Sequence, residues 1–203
     1  GGSLYWNNQS GTCYSSTNTT SCNFTSTGIK DKLKTLISDA VWNTGAPMIS
    51  SRIASKYYTE ERGTGNGKIC SSGTSCNDTI SRTTTWTGKV GLMYPSDYGY
   101  ATSGGSTTDR ATCLNTVLSS WDGSSVSDCK NNDWLFNRTE QWTISPSANS
   151  SRAYRAFYVY STGYVSDSLA SYHNGVRPAV YLSSNVKISS GIGSRSDPFV
   201  LEG

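Results

Sequence analysis

The residues that could carry catalysis are few, and they do not form a known catalytic motif. His173 is the only histidine and lies in the segment Ser171 to Gly175. The sequence around it gives no sign of an Asp or Glu partner. Neither Gly-x-Ser-x-Gly nor His-Glu-x-x-His occurs in the chain. A Ser-His-Asp triad assembles in space, but this context favours an exposed loop histidine.

Glu60 and Glu61 are adjacent carboxylates, the residue type that general acid and base catalysis uses. Neighbouring side chains diverge on a strand and do not share a face of a helix. The pair is therefore predicted to form a solvated turn or an ion pair with Arg62. We expect a protein that is not an enzyme.

A cluster of oxygen-bearing side chains follows the last cysteine, with Asp122 as a further candidate. Its members are Asp128, Asn131, Asn132 and Asp133. Calcium prefers six to eight such hard oxygen ligands, although the spacing does not match an EF-hand. A polar turn anchored by a disulfide explains the same residues without an ion. Calcium is the one cofactor the sequence leaves open.

Aromatic side chains in loops are the other candidate binding groups, because flat rings with polar tips suit the apolar faces and hydroxyl rims of sugars. The segment Trp86 to Ala101 alternates as a strand up to Tyr94, and Pro95 is expected to send the chain into an aromatic turn. The predicted ligand-binding residues are Tyr94, Asp97, Tyr98, Tyr100 and Tyr172. The tryptophans of periodic segments, Trp86, Trp121, Trp134 and Trp142, are predicted to lie in the core.

Six cysteines occur as three close pairs, Cys13 with Cys22, Cys70 with Cys76, and Cys113 with Cys129. An even count in a chain rich in Ser and Thr predicts local disulfides and an oxidising compartment. None of the spacings is the Cys-x-x-Cys expected of a zinc or redox site. Each bridge closes a short loop and should contribute about 2–3 kcal/mol.

The composition indicates a secreted protein of one domain. The 203 residues can bury a full core, only 15% of them are charged, and the net charge of +3 is too small and too scattered for a nucleic acid interface. No stretch reaches the roughly 20 apolar residues of a membrane span. We expect residues 1–203 to be one extracellular domain, with an N-terminal strand and loop over 1–27 and the main body over 28–203. Six Asn-x-Ser/Thr sequons occur, at Asn8, Asn18, Asn23, Asn77, Asn137 and Asn149.

Periodicity predicts two amphipathic helices and a mostly antiparallel sheet. The first helix covers Ile29 to Asn43, and the second begins at the cap residue Asp109 and extends to Trp121. The region Ile53 to Arg82 is predicted to be an irregular excursion with a hairpin tip. Strands are predicted over 141–145, 153–161, 163–166, 176–183 and 186–189, and the end of the chain at 198–201 is expected to pair with an edge.

Several segments resemble a group of uncharacterised secreted proteins of gut Firmicutes, in which a prepilin-like helix often precedes the domain. They are WTGKVGLMYPSDYGYAT, NNDWL, QWTISP, TGYV, GVRPAVYL and GIGSRSDPFVL, and the resemblance runs from about Ile29 to Leu201. It implies an α+β fold of the C-type-lectin-like class, in the branch of the formylglycine-generating enzymes. Residues 175–182 would form its late core strand. Those enzymes depend on two late cysteines, which this chain lacks after Cys129, so their activity is not expected.

The expected function is an extracellular recognition or adhesion domain on the surface of a Gram-positive bacterium. It would bind a glycan or a surface protein through its aromatic loops. The alternative is the structural head domain of a pilin or pseudopilin, whose partners are other pilus subunits. Neither hypothesis involves nucleic acid or a membrane span.

Overall fold

The computed structural model describes residues 31–45, 47, 50–62, 85–148, 154–194 and 196–203, and only the backbone of residues 3–5, 13–14 and 19–20. The helices are α1 Asp31–Lys34, α2 Ala54–Glu61, α3 Pro95–Tyr100, α4 Arg110–Asn115 and α5 Ser127–Asn131, with 3-10 turns at Leu118–Ser120 and Ser124–Val126. The strands are β1 Ser3–Tyr5, β2 Cys13–Tyr14, β3 Thr19–Thr20, β4 Ala40–Asn43, β5 Thr85–Gly88, β6 Val90–Leu92, β7 Gln141–Pro146, β8 Arg155–Val159, β9 Val165–Leu169, β10 His173–Gly175, β11 Pro178–Val180, β12 Lys187–Ser190 and β13 Val200–Glu202.

These elements form a mixed α+β fold in which almost all strand pairs are antiparallel. The largest described sheet has five strands in the order β1-β10-β7-β8-β9, and within it only β10 and β7 are parallel. Four pairs of strands lie outside this sheet: β4 with β5, β6 with β11, β12 with β13, and β2 with β3. The α+β prediction is therefore confirmed at the level of the class.

The central strand β8 separates two apolar clusters. Successive side chains of a strand point to opposite faces, so Phe157 and Val159 lie on one face and Tyr158 on the other. The larger cluster contains Tyr57, Met93, Tyr98, Cys113, Leu118, Trp121, Cys129, Leu135, Phe157, Val159 and Val165. The smaller one contains Trp142, Ala156 and Tyr158. Bulk on both faces of residues 153–161 predicts a central strand; in the structure β8 is an interior strand, the fourth of five, paired with β7 and β9.

The first predicted helix is much shorter than its periodicity suggests. Only Asp31–Lys34 is helical among residues 31–43, and Ala40–Asn43 is strand β4. Trp42 explains the difference, because it lies opposite Trp86 in the β4–β5 pair and its indole N–H donates to the carbonyl of Gly88 at 2.9 Å. Pairing with a strand distant in sequence has overridden a local helical pattern. The predicted helix over Ile29–Asn43 is wrong in its C-terminal half.

Pro95 begins a helix instead of a turn. Its fixed φ and missing N–H suit the first helical position, and the Asp97 carboxylate accepts the Tyr94 amide at 2.9 Å. The predicted aromatic loop is therefore helix α3. The same kind of difference occurs at residues 53–62, where helix α2 replaces the predicted irregular chain. Residues 63–84 lie outside the described part.

The second predicted helix is confirmed at its start and interrupted before its end. Asp109 caps α4, with its Oδ1 accepting the Thr112 amide at 2.7 Å. The helix ends at Asn115, and a separate 3-10 turn at Leu118–Ser120 leads to Trp121. Trp121 is fully buried, as predicted. All five predicted late strands appear in whole or in part, and the chain end pairs with β12.

The other tryptophans divide into buried and exposed. Trp142 is fully buried, but Trp86 is 36% exposed and Trp134 is 76% exposed. The core prediction is therefore wrong for Trp86 and Trp134. Trp86 lies in a two-stranded sheet, opposite Trp42. Trp42 is the buried one of the two, and its ring packs against Tyr181 with 5.0 Å between the ring centroids.

One predicted disulfide lies within the described residues. Cys113 and Cys129 are bonded and both are fully buried, which confirms that pair. The pairs Cys13 with Cys22 and Cys70 with Cys76 fall outside the residues whose side chains are described and stay predictions. None of the helices in the described part is long and apolar enough to cross a membrane.

Candidate functional site

Two of the five predicted binding residues are buried. Tyr94 is 3% exposed, and its hydroxyl donates to the Asn43 carbonyl and accepts the Asn43 amide, both at 2.9 Å. Tyr98 is fully buried and donates to the Gly163 carbonyl at 2.7 Å. Helix α3 turns both rings inward, so the prediction that they are exposed for a ligand is wrong. Asp97 lies at the start of the same helix and caps it.

Behind Tyr94, helices α2 and α3 are joined by a buried carboxylate. Glu61 is fully buried and accepts the Ser96 amide at 2.9 Å, the Ser96 hydroxyl, and Arg62 Nη1 at 3.0 Å. Burial raises the pKa of Glu61 to about 7, against the lowering effect of these three donors. Ser96 is itself fully buried, so its hydroxyl is not available to a substrate. This cluster holds the fold together.

Arg62 completes that cluster by stacking on two tyrosines. Its guanidinium carbon lies 3.9 Å from the centroid of the Tyr58 ring and 4.5 Å from that of Tyr94. Glu60 beside it is 4% exposed and accepts Arg52 Nε at 2.8 Å. The prediction of an ion pair with Arg62 is confirmed for Glu61, and the solvated turn is wrong for both glutamates. Hydrophobic packing of α2 against the core buries them.

The remaining predicted aromatic residues do reach the surface. Tyr100, at the end of α3, is 39% exposed, and Tyr172, just before β10, is 55% exposed. His173 is exposed as well, but it lies in strand β10 and not in a loop. Of the five predicted residues, two are therefore buried and two aromatic rings are exposed, and the ligand-binding role of the exposed ones stays a prediction.

The predicted calcium cluster divides between two environments. Asp128 Oδ2 accepts the Thr107 amide, the Thr107 hydroxyl and the Thr108 amide at 2.8, 2.6 and 3.0 Å. Asn132 lies beside it, since a Cβ on Gly105 would meet both the Asp128 carboxylate and the Asn132 amide. Asn131 is exposed at the end of α5. Hydrogen bonds to Thr107 and Thr108 lower the pKa of Asp128.

Asp133 points inward from the same turn. It is 5% exposed, its Oδ1 accepts the Leu135 amide at 2.7 Å, and its buried Oδ2 has no hydrogen-bond partner among the described residues. Burial raises the pKa of Asp133 to about 7. Within the described chain, no three His, Cys, Asp or Glu side chains converge as metal ligands. Calcium binding stays a prediction.

Trp134 is the functional candidate that the sequence did not reveal. It is the most exposed tryptophan of the described chain, at 76%, and it stands between Asp133 and Leu135, which are both 5% exposed. The Asp133 carboxylate bridges over it to the Leu135 amide. We call residues 131–135 the Trp134 turn. Its exposure comes from the inward anchoring of both neighbours, which periodicity alone does not signal.

The Trp134 turn is held in place from two further sides. The carbonyl of Asn132 accepts the Ser103 amide at 3.1 Å, and Asp133 forms an isolated β-bridge with Thr102. Cys129, two residues before Asn131, is bonded to Cys113 of α4. A large flat ring is thus presented on a backbone with few degrees of freedom. Such an arrangement suits binding, because little conformational entropy is lost when a ligand covers the ring.

The protein is therefore an α+β domain that presents a rigid, exposed indole ring next to amide and carboxylate side chains. Comparison with known proteins finds no matching family model, no significantly similar curated protein and no significantly similar solved structure.

Proposed function

We propose that this chain is a non-catalytic extracellular recognition domain that binds a glycan or a surface protein through the Trp134 turn. The observation that carries the proposal is the 76% exposure of Trp134 between two buried neighbours. An isolated indole costs hydration free energy when it stands in water. Tryptophan is also the residue type most enriched at the energetic centres of interfaces.

The chemistry around Trp134 suits a sugar or a polar peptide. The indole offers a flat apolar face and an N–H donor, and the exposed amides of Asn131 and Asn132 offer donors and acceptors for hydroxyl or peptide groups. A calcium ion would use oxygens of Asp128 and Asn132, whose side chains already lie together at Gly105. A C-type-lectin-like identity is part of this proposal and is supported by the α+β class and the sequence resemblance.

Secretion is supported by the buried Cys113–Cys129 disulfide, because such bonds persist in oxidising compartments. A surface of Ser, Thr, Asn and Tyr with few charges fits the same location. A Gram-positive bacterial surface follows from the resemblance alone.

The test is a glycan and matrix-protein array probed with the full chain, once with calcium and once with a chelator. Trp134→Ala should weaken any binding about 30-fold, the loss of a 2 kcal/mol anchor. Trp86→Ala is the matched control, since it removes an exposed tryptophan elsewhere and should leave binding unchanged. Equal binding by wild type and Trp134→Ala would contradict the proposal. Loss of binding in the presence of the chelator would indicate that calcium bound at Asp128 also takes part.

A second candidate function, the head domain of a pilin or pseudopilin, is favoured by the C-terminal hairpin of β12 and β13. Four apolar residues of this region are more than half exposed: Ile188, Ile192, Phe199 and Val200. A two-stranded hairpin is marginal in water by itself, and contact with another subunit would cover these side chains. Light scattering of the full chain should then show association that Ile188→Ser with Phe199→Ser abolishes. A monomer at high concentration would exclude this candidate.

A further inference from the structure

Three tyrosines lie together at one end of the five-stranded sheet, on the face opposite the larger core cluster. Tyr158 is the fourth residue of β8, and Tyr160 and Tyr164 flank the tight turn between β8 and β9, where the Tyr160 amide donates to the Tyr164 carbonyl at 2.8 Å. The Tyr160 and Tyr164 rings are 4.9 Å apart at 31°, and Tyr158 meets Tyr160 edge-on at 5.9 Å. The strand register fixes the positions of all three.

Glu140 lies on the same face of the sheet as these rings, just before the neighbouring strand. It immediately precedes β7, whose Trp142 lies opposite Tyr158, so alternation places Glu140 on the tyrosine face. With its amide turned to satisfy its neighbours, Asn174 donates to Glu140 Oε2 and to the His173 carbonyl, both at 3.1 Å. We call Glu140, Tyr158, Tyr160 and Tyr164 the tyrosine end of the sheet.

The tyrosine end carries one carboxylate, Glu140, and no cation of the described chain forms an ion pair with it. Burial raises the pKa of Tyr158 and of Tyr164 most, and the neighbouring tyrosines and Glu140 raise it further. By contrast, the positive charge of Arg62 lowers the pKa of Tyr94. Lys130 passes over Gly163 nearby, but its ammonium donates to the backbone carbonyl of Asp122 at 3.2 Å. Among the described residues, no ion pair or cation–π contact involves the tyrosine end.

Tyr158 contributes its hydroxyl to the tyrosine end of the sheet. Burial, and after it Tyr164, Glu140, Tyr160 and Asp167, raise the pKa of Tyr158. The residue is 9% exposed, and its hydroxyl is not among the buried polar atoms that lack a hydrogen-bond partner. Water therefore reaches this hydroxyl, and a ligand at the tyrosine end would replace that water.

The same chain shows what such a set of side chains binds. Around Arg62, two tyrosine rings and one glutamate hold a guanidinium, with ring distances of 3.9 and 4.5 Å and an ion pair of 3.0 Å. The tyrosine end has the same side-chain types, tyrosine rings beside a glutamate, without an arginine of the described chain in it. Ring faces and a carboxylate together attract cations with delocalised or alkylated charge.

We propose that the tyrosine end of the sheet is a binding site for a guanidinium or alkylammonium group of a ligand, separate from the Trp134 turn. The cation stacks on the Tyr160 and Tyr164 rings, and Glu140 balances its charge. The group can come from an Arg or Lys side chain of a partner protein or from a free quaternary amine.

The test is a titration of the full chain followed by NMR of its tyrosine ring signals. N-acetylarginine amide represents a protein side chain, choline represents a free amine, and N-acetylcitrulline amide is the uncharged control. Saturable shifts confined to Tyr158, Tyr160 and Tyr164 are expected with one or both cations and not with citrulline. The tighter of the two cations identifies the source.

Glu140→Gln and Tyr164→Leu should each weaken the tighter cation roughly fivefold or more. Trp134→Ala and Tyr172→Leu should leave the affinity unchanged, which separates this site from the recognition surface. Urea unfolding of each variant shows whether it is folded, and Tyr160→Leu replaces Tyr164→Leu if the latter is not. Citrulline binding as tight as arginine, no saturable binding of either cation, or full affinity in Glu140→Gln would overturn the proposal.

Discussion

Replacing Glu61 by Gln tests the buried carboxylate that joins helices α2 and α3. Glu61 is fully buried, and burial raises its pKa from 4.5 to about 7. In the folded protein this group holds its proton over a range of pH where the unfolded chain has already lost it. The contribution of Glu61 to stability is therefore fully present below about pH 4.5 and is lost as the pH rises through 7.

The size of the effect follows from the two pKa values. Each unit of difference corresponds to about 1.4 kcal/mol, so the free energy of unfolding should fall by about 2–3 kcal/mol between pH 5 and pH 8 on account of Glu61. Glutamine has the same shape and does not titrate, although its single carbonyl oxygen can accept either the Ser96 amide or Arg62, which donate to different oxygens of Glu61. The Glu61→Gln variant should lose that much less stability over the same range.

Urea unfolding at pH 5 and pH 8, with the disulfide intact, measures the difference directly. Asp109→Asn is the matched control, because hydrogen bonds from Thr112 lower the pKa of Asp109, which therefore does not titrate in this range. Asp133→Asn should behave like Glu61→Gln, since burial also raises the pKa of Asp133 to about 7. Parallel pH profiles for wild type and Glu61→Gln would show that Ser96 and Arg62 keep the carboxylate ionised, and the reasoning would be refuted.

Three further predictions concern stability. Cys113→Ala with Cys129→Ala should lower the free energy of unfolding by about 3 kcal/mol, the loop entropy for a separation of 16 residues, and unchanged urea midpoints would contradict this. Tyr98→Phe should cost about 1–2 kcal/mol in urea unfolding, because the Gly163 carbonyl loses its buried donor, whereas an equally stable variant would mean that water replaces it. Gly163→Ala should cost about 1 kcal/mol or more in the same assay, since φ is +97° there and a Cβ would meet Lys130 at 2.6 Å; a stabilised variant would be the contrary result.

Much of the last third of the chain could be predicted, because its signals are local. Alternating bulk on residues 153–161 predicts a strand buried on both faces, and Gly163 predicts the turn after it; the structure has both. The cap at Asp109 and the Cys113–Cys129 pair are equally local, and both are confirmed. Each of these features depends on residues within about one turn or one hairpin of each other.

The errors fall where a distant segment decides the outcome. Residues 40–43 have a helical pattern, but pairing with β5 makes them a strand, and contact of α3 with the core buries Tyr94 and Tyr98 instead of exposing them. Glu61 is buried by the packing of α2 against the core, and its main hydrogen-bond donor there is Ser96, 35 residues later.

Local periodicity in the sequence predicts helices and antiparallel strands, and the number and spacing of the cysteines favour an oxidising compartment, since these signals do not depend on how segments meet. The tertiary structure alone decides which aromatic rings are exposed. Trp134 stands in water because Asp133 and Leu135 are anchored inward on either side of it. Strand register brings β7, β8 and β9 side by side and so places Glu140 and Tyr158 on the same face of the sheet. Exposure and convergence are properties of long-range contacts, and no local pattern of residues encodes them.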